Sequence, residues 1–83
     1  MGASGGAQLG KFQVGMKLEA KDRLYPTLTA VATITDIRDK KLLIHFDGWT
    51  SKYDYWCKPT STDIHPMGWC ARHNKDLQPP KGG

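Results

Sequence analysis

The chain has 83 residues, of which 39% are hydrophobic and 10% are aromatic, so it is long enough for one small domain with a thin core. It contains no apolar run long enough to cross a membrane, and its N-terminus lacks the charged-then-apolar pattern of a signal peptide. The formal net charge of +4 favours acidic partners weakly, because the basic residues are dispersed among acidic ones and do not form the clustered stripe of a dedicated nucleic-acid binder.

The two ends of the chain differ in composition from its middle. Residues 1–10 are small and rich in Gly, which predicts a flexible leader. Two prolines precede residues 81–83, which we expect to be a short tail. The predicted single domain therefore covers residues 11–80.

Alternation with a period of two predicts the first strands. Residues 16–22 place apolar side chains on one face and charged side chains, Glu19 among them, on the other, which is typical of a half-buried strand. Residues 28–36 and 41–46 are rich in β-branched and apolar residues. Because only a short polar link joins them, we expect a hairpin.

The second half of the chain is more irregular. Residues 53–57 predict a fourth short strand, and Pro66 indicates a helical or 3₁₀ turn in the stretch 64–70. Four or five short strands in about 65 residues predict an all-β fold, a small antiparallel barrel that is closed or nearly closed.

Aromatic residues are concentrated in residues 46–56, which hold five of the eight in the chain, and the turn signal Asp47-Gly48 lies among them. Such aromatics either fill a core or line a pocket whose ring faces attract cations. We expect Trp56, which lies in mid-strand among apolar neighbours, to belong to the core, and Trp69 likewise. Tyr55 could face either way.

Several blocks of residues occur in an order and spacing that are typical of one family. They are Val14-Gly15-Met16-Lys17-Leu18-Glu19-Ala20, then Asp22, Val31-Ala32-Thr33, Phe46-Asp47-Gly48-Trp49, Tyr53-Asp54-Tyr55-Trp56, Asp63-Ile64-His65-Pro66, Gly68-Trp69-Cys70 and Leu77-Gln78-Pro79-Pro80. From about Phe12 to Pro80, the chain resembles the malignant brain tumour (MBT) repeat.

The resemblance implies a Tudor-like, SH3-like five-stranded β-barrel in a nuclear, chromatin-associated module. It implies a reader that is not an enzyme and binds mono- and dimethylated lysine, mainly on histone tails, with other chromatin complex proteins as further partners. By the same resemblance, Phe46, Trp49 and Tyr53 form an aromatic cage and Asp22 is its acid. Tyr25 stands where repeats with a working pocket usually have Asn, so it would be either a fourth wall or a plug at the mouth.

The alternative is a non-enzymatic structural or protein-interaction module whose cage is vestigial or blocked. In that case the aromatics are only core, and Asp22 is a solvated carboxylate at the end of a strand. Lys40, Lys41, Lys52 and Lys58 could then form a solvated face or make weak accessory contacts with nucleic-acid phosphates.

The sequence gives little support for a metal site, a cofactor or catalysis. With no secretory signal, Cys57 and Cys70 are expected to be free thiols. Zinc would need two closely spaced ligand pairs, and only Cys70 and His73 have such spacing, whereas Cys57 and His65 do not. The same Cys70–His73 pair lacks a third group that would orient it as a nucleophile.

Overall fold

A computed structural model of the protein describes residues 12–78. The elements in chain order are β1 (Lys17–Lys21), β2 (Thr29–Arg38), β3 (Lys41–Phe46), a 3₁₀ turn (Ser51–Tyr53), β4 (Tyr55–Cys57), β5 (Ile64–His65), helix α1 (Trp69–Arg72) and β6 (Leu77–Gln78). The predicted leader, residues 1–10, and the predicted tail, residues 81–83, lie outside the described residues, as do the first and the last two positions of the predicted domain.

The strands form one sheet in the order β4-β3-β2-β1-β5, in which each neighbouring pair is antiparallel. The two-residue strand β6, which the sequence did not predict, pairs in parallel with the first residues of β2. Within residues 12–78, no helix is long and apolar enough to cross a membrane.

The core lies on one face of this sheet, where the alternate residues of β2 and β3 point. Alternation predicts that Ala30, Ala32 and Ile34 of β2 and Leu42, Ile44 and Phe46 of β3 face inward, and the burial of all six confirms it. The buried core residues are Leu18, Ala20, Ala30, Ala32, Ile34, Leu42, Ile44, Phe46, Cys57 and Ile64. A bulge between Ile34 and Asp36 shifts the register, so that Ile37 also turns inward opposite Leu42.

Two tight turns set the length of β3. Asp39 and Lys40 connect β2 to β3 with φ angles of 50° and 61°, the left-handed pair that suits a two-residue hairpin loop. After β3, the N–H of Trp49 donates to the carbonyl of Phe46 at 3.0 Å, and Gly48 takes a φ of 79°. The 3₁₀ turn follows, and for that reason β4 begins at Tyr55 and not at the predicted residue 53.

The structure contradicts the expectation that Trp56 belongs to the core, because its residue is 39% exposed. Ile44 pairs with Tyr55 and Leu42 with Cys57, so Tyr55 and Cys57 take the inward face. Trp56 therefore points outward. The strand has the predicted position, but its inward residues are the ones on either side of Trp56.

Trp69 is half-buried and outside the main core. Its ring stacks between two imidazoles, that of His65 with centroids 3.6 Å apart and that of His73 with centroids 4.6 Å apart. Trp69 therefore forms a satellite cluster with these two histidines.

Glu19 was expected on the solvent face of β1, and this is also wrong, since only 1% of the residue is exposed. The start of helix α1 covers it. The N–H groups of Gly68 and Cys70 donate to its two carboxylate oxygens at 2.7 and 2.8 Å. Alternation along β1 does not reveal that the start of helix α1, some fifty positions later in the chain, buries the side chain of Glu19.

Candidate functional site

The loop between β1 and β2 and the connection between β3 and β4 leave the sheet at the same end. Lys21, the last residue of β1, pairs with Thr29 at the start of β2, and Phe46, the last residue of β3, pairs with Ala32 of the same strand. The N–H of Asp47 then donates to the carbonyl of Val31 at 3.1 Å. The acid and the aromatics that the sequence singled out are therefore carried by two loops at one end of the sheet.

Asp22 lies directly after β1 and is buried, with 4% of the residue exposed. Its Oδ1 accepts the N–H of Leu24 at 2.8 Å and the N–H of Tyr25 at 3.2 Å, an Asx turn that fixes the carboxylate. The alternative of a solvated strand-end carboxylate is thus wrong. Among residues 12–78, both hydrogen bonds to this carboxylate go to Oδ1, so its charge is held in place with Oδ2 still able to accept.

The three predicted cage aromatics lie side by side in the connection from β3 to β4. Phe46 and Trp49 have ring centroids 6.3 Å apart, and Trp49 and Tyr53 are 5.0 Å apart with planes at 82°. Phe46 is fully buried, whereas Trp49 and Tyr53 are half-buried and pack against the core from its edge. One ring therefore belongs to the core, and two project from it.

Tyr55 connects the acid side of the site to the aromatic side. Its hydroxyl donates to the carbonyl of Lys21, next to Asp22, at 2.8 Å, and its ring lies 6.0 Å from that of Phe46. Burial raises the pKa of this phenol well above its usual value, so it remains a hydrogen-bond donor. The guanidinium of Arg23 covers its ring at 3.9 Å from the centroid. The sequence leaves the direction of Tyr55 open and contains no signal that places Arg23 beside it.

Asp47 anchors the turn that presents Trp49. Its two carboxylate oxygens accept hydrogen bonds from Lys17 and Thr33, both at 2.6 Å. Burial alone would raise the pKa of Asp47, but the hydrogen bonds from Lys17 and Thr33 hold it below its ordinary value. The signal for this residue was present in the Asp-Gly turn, whereas its partners on β1 and β2 could not be inferred locally.

The mouth of the site has two further side chains. Tyr25 is 55% exposed, and within the described part of the chain its ring makes no ring contact with the three aromatics. The ammonium of Lys52 lies 5.6 Å from the centroid of the Tyr53 ring, so a ligand cation that approaches this ring meets a cation of the chain itself.

The two cysteines are the other candidate groups that the sequence raised. Cys57 and Cys70 are free and buried. Burial raises the pKa of both thiols, that of Cys70 to about 11, which disfavours the thiolate that a nucleophile or a metal ligand requires. Across residues 12–78, no three His, Cys, Asp or Glu side chains lie where they could hold a metal ion together.

A separate apolar concavity of about 490 Å³ lies between the stretch before β1 and the region around β5. Phe12, Leu18, Ile64 and Met67 are among its lining residues. None of its lining residues belongs to the predicted cage, and the concavity does not bear on the chemistry of that site.

Comparisons with known proteins agree with this geometry. The family described as the mbt repeat matches residues 16–83. The chain is 59% identical over 70 residues to Lethal(3)malignant brain tumor-like protein 1 of Gallus gallus, a match that covers 84% of this chain and 8% of the relative. It is 49% identical over 69 residues to Polycomb protein SCMH1 of Homo sapiens, covering 83% of this chain and 10% of that protein.

A solved structure extends the similarity to three dimensions. The four MBT repeats of Drosophila melanogaster Sfmbt, in complex with the peptide RHR (me)K VLR, match with a TM-score of 0.81 and 46% identity over 83% of this chain. The match covers 16% of the Sfmbt chain, so this chain spans a small part of the proteins that it resembles. The predicted all-β, Tudor-like architecture is confirmed by this similarity.

Proposed function

The chain belongs to the MBT repeat family, and on that premise we propose that it is a chromatin-associated, nuclear reader module that binds mono- and dimethylated lysine and is not an enzyme. The ligand side chain enters between Phe46, Trp49 and Tyr53. Its charged nitrogen donates to Asp22. Histone tails are the proposed source of the modified lysine, and other chromatin complex proteins are proposed as further partners.

The observation that supports this proposal is the buried, fixed carboxylate of Asp22 at the same end of the sheet as the Trp49–Tyr53 pair. A buried carboxylate is costly unless a cation or donors compensate it. Two backbone donors already occupy Oδ1, and an ammonium N–H on Oδ2 would add a charge-assisted bond. The Sfmbt repeats, with which this chain shares its fold, were solved with a methylated-lysine peptide.

The same chemistry sets the preference among methylation states. Mono- and dimethylammonium groups have both apolar methyls for the rings and at least one N–H for the carboxylate. Trimethylammonium has no N–H, and its head is wider. Unmodified lysine has N–H groups but little apolar surface to offset its loss of hydration. The site should therefore favour the lower methylation states.

We expect this preference to appear in an NMR titration of the protein with free lysine carrying zero to three methyl groups. Mono- and dimethyl-lysine should shift the amide signals of residues 22–25 and 46–54 in the millimolar range or below, and the other two ligands should shift them less. The lack of any shift with millimolar dimethyl-lysine would overturn the proposal, and so would equal binding of all four ligands.

Two tryptophans provide a matched pair of variants for the same titration. Trp49→Ala should abolish binding, since it removes a wall of the cage. Trp56→Ala deletes the same side chain from the outer face of the sheet and should bind like the parent. Equal loss in both variants would indicate that the effect comes from the fold and not from the cage.

The proposed organisation of the chain stays as the sequence predicts it, with a leader at residues 1–10, one repeat at 11–80 and a tail at 81–83. The activity of any longer protein that contains this repeat is likewise a proposal. The repeat supplies one binding pocket, and neighbouring segments would supply its context.

A further inference from the structure

Three cations lie in a row across the outer face of the sheet, at the end away from the cage. Arg38 of β2 pairs with Lys41 of β3. Cys57 of β4 pairs with Leu42, so Lys58, the next residue, comes beside Lys41 on the outer face. We call Arg38, Lys41 and Lys58 the basic row. All three are exposed, and neighbouring strands place them roughly 5 Å apart from one strand to the next.

The positive charge of the basic row is only partly compensated. The guanidinium of Arg38 contacts the carboxylate of Asp36 at 3.0 Å. Lys41 and Lys58 have no acidic partner within 4 Å among residues 12–78. Two cations on neighbouring strands, neither of them paired with a carboxylate among the described residues, favour the approach of an anion.

The space beside these two lysines is concave and lined by hydrogen-bond donors. A hollow of about 400 Å³ is lined by Lys41 and Lys58, by the hydroxyl residues Thr60, Ser61 and Thr62, and by the inward-facing Cys57. It therefore lies around the free edge of β4, beside the outer face and not on it. Hydroxyl groups can donate to phosphate oxygens while the ammonium groups neutralise the charge. Arg23 lines the same hollow, although its Nε donates to Asp63 at 3.2 Å.

Trp56 lies on the same outer face, at the next outward-facing pair of positions along β3 and β4. It lies directly opposite Leu43 and two residues before Lys58, so its side chain and that of Lys58 point to the same side. The residue is 39% exposed. A flat ring on the surface of a sheet, next to cations, is the arrangement on which single-stranded nucleic acids stack their bases.

We propose that the outer face formed by the basic row and Trp56, together with the hollow at the neighbouring edge of β4, is a second binding site, and that its ligand is a single-stranded nucleic acid. Lys41 and Lys58 bind backbone phosphates, and one base stacks on Trp56. A duplex fits less well, because its bases are already stacked on each other and offer no face to the ring. The proposal goes beyond methyl-lysine binding and does not depend on it.

The two sites can be occupied together. Strand β3 runs from Lys41 in the basic row to Phe46 in the cage, a distance of roughly 17 Å along the strand. No residue of the basic row belongs to the cage. A peptide that is bound through its methylated lysine at one end of the sheet therefore leaves the other end of the sheet free for a nucleic-acid strand.

The test uses fluorescence anisotropy with a labelled oligothymidine of roughly ten nucleotides, the matching oligouridine and a duplex of the same length. Single strands should bind more tightly than the duplex. With two or three phosphates neutralised, the affinity should fall with a log–log salt slope of about −1.4 to −2. Inorganic phosphate alone should shift the amide signals of residues 58–62 in an NMR titration.

Variants separate the two parts of the site. Lys41→Glu combined with Lys58→Glu should weaken single-strand binding by at least about tenfold and flatten the salt slope. Trp56→Val, which keeps a β-branched residue in the strand, should weaken it severalfold and leave the slope unchanged, since stacking involves no counter-ion release. Lys75→Glu, the same charge change on an exposed residue after helix α1, is the matched control and should have little effect.

Methyl-lysine binding serves as the second control. Asp22→Asn should leave oligonucleotide binding at the parental level, so failure of the cage proposal and failure of this one are distinguishable. The proposal is overturned if no single strand binds at low salt, or if Lys75→Glu weakens binding as much as the double variant does. It is also overturned if the duplex binds equally well and Trp56→Val has no effect, which would show a purely electrostatic surface.

Discussion

Asp22 has a structural role in the Asx turn and a proposed role as the acid of the cage, and a pair of substitutions can separate the two. Asp22→Asn retains an oxygen that can accept the N–H groups of Leu24 and Tyr25, but it removes the charge. We expect it to change the free energy of unfolding by less than about 1 kcal/mol and to weaken dimethyl-lysine binding by about 1.5–3 kcal/mol. Thermal unfolding and the NMR titration measure the two quantities on the same sample.

Asp22→Ala is the companion variant, and the structure changes what is expected of it. From the sequence alone, a cage acid could be replaced by Ala with the fold intact. Because the carboxylate accepts two backbone hydrogen bonds in a buried turn, Asp22→Ala should also cost about 1–3 kcal/mol of stability. If Asp22→Asn binds dimethyl-lysine as tightly as the parent, the charge of Asp22 is not part of the site.

From the sequence, Trp56 was expected to belong to the core and Phe46 to the cage, so Trp56→Ala should have been the more destabilising change. The exposures of the two residues predict the reverse order. Phe46 is 1% exposed and Trp56 is 39% exposed. Phe46→Ala should cost about 3–5 kcal/mol, comparable to the whole stability of so small a domain, because it leaves a cavity in the core. Trp56→Ala removes a ring that is already 39% exposed in the folded state, and we expect roughly 1–2 kcal/mol. Urea unfolding of both variants checks the order, and a larger loss for Trp56→Ala would contradict it.

These two residues also show what sequence could and could not predict. Phe46 ends a strand with clear alternation, so its inward direction follows from Leu42 and Ile44 before it. Trp56 lies in a strand of three residues, too short for alternation to fix a face. The register with β3 decides it, and register is a contact between strands that a single sequence does not display.

The pairing of β1 with the start of helix α1 is the least predictable feature at the scale of elements. A helix of four residues has no stability of its own, and the sequence predicted only a helical turn somewhere in residues 64–70. What holds α1 in place is Glu19, whose carboxylate accepts the N–H groups of Gly68 and Cys70. Charged residues in a strand usually indicate its solvent face, so local pattern placed Glu19 on the wrong side.

Glu19→Gln tests this link between β1 and α1. The amide keeps the shape of the side chain, but only one of its two head atoms can accept, so one N–H loses its partner and the charge is lost. We expect a loss of about 1.5–3 kcal/mol in the free energy of unfolding, with the amide signals of residues 68–73 shifted more than those of β2 and β3. Glu19 is not part of the cage, so dimethyl-lysine should still bind to the folded variant. A variant as stable as the parent would show that the two hydrogen bonds contribute little.

At the scale of the whole molecule, the fold and the placement of the aromatics on one turn were predictable because alternation and turn chemistry are local. Only family resemblance related Asp22 to the three aromatics, since no local signal pairs residue 22 with residues 46–53; the structure shows that the two loops that carry them leave the sheet at the same end. Two of the hydrogen bonds that fix these loops cross the sheet. The hydrogen bonds from Lys17 to Asp47 and from Tyr55 to the Lys21 carbonyl join residues thirty or more positions apart. The composition of the chain does not indicate that these residues will meet.

The stability of the domain should fall in two stages as the pH is lowered. Burial lowers the pKa of His65 below its ordinary 6.5, with the nearby carboxylate of Glu19 opposing this. Burial would raise the pKa of Glu19 and of Asp47, but their hydrogen bonds hold both below the ordinary values of 4.5 and 3.8. For all three groups, the unfolded chain takes up its proton at a higher pH than the folded chain does.

It follows from linkage that the free energy of unfolding decreases as the pH falls through each of these windows. The first decrease, from His65, should begin below about pH 6.5, and a second should begin below about 4.5 as Glu19 and then Asp47 are protonated in the unfolded chain. Urea unfolding at steps between neutral pH and about pH 3 measures the curve. Glu19→Gln and Asp47→Asn should each flatten the lower stage, because they remove one of its protons. Asp47→Asn should leave the first stage in place, whereas Glu19→Gln should deepen it, because the carboxylate that opposes the lowering of the His65 pKa is lost. A stability that stays constant from neutral pH to pH 3, or that rises as the pH falls, would contradict the assignment of these groups.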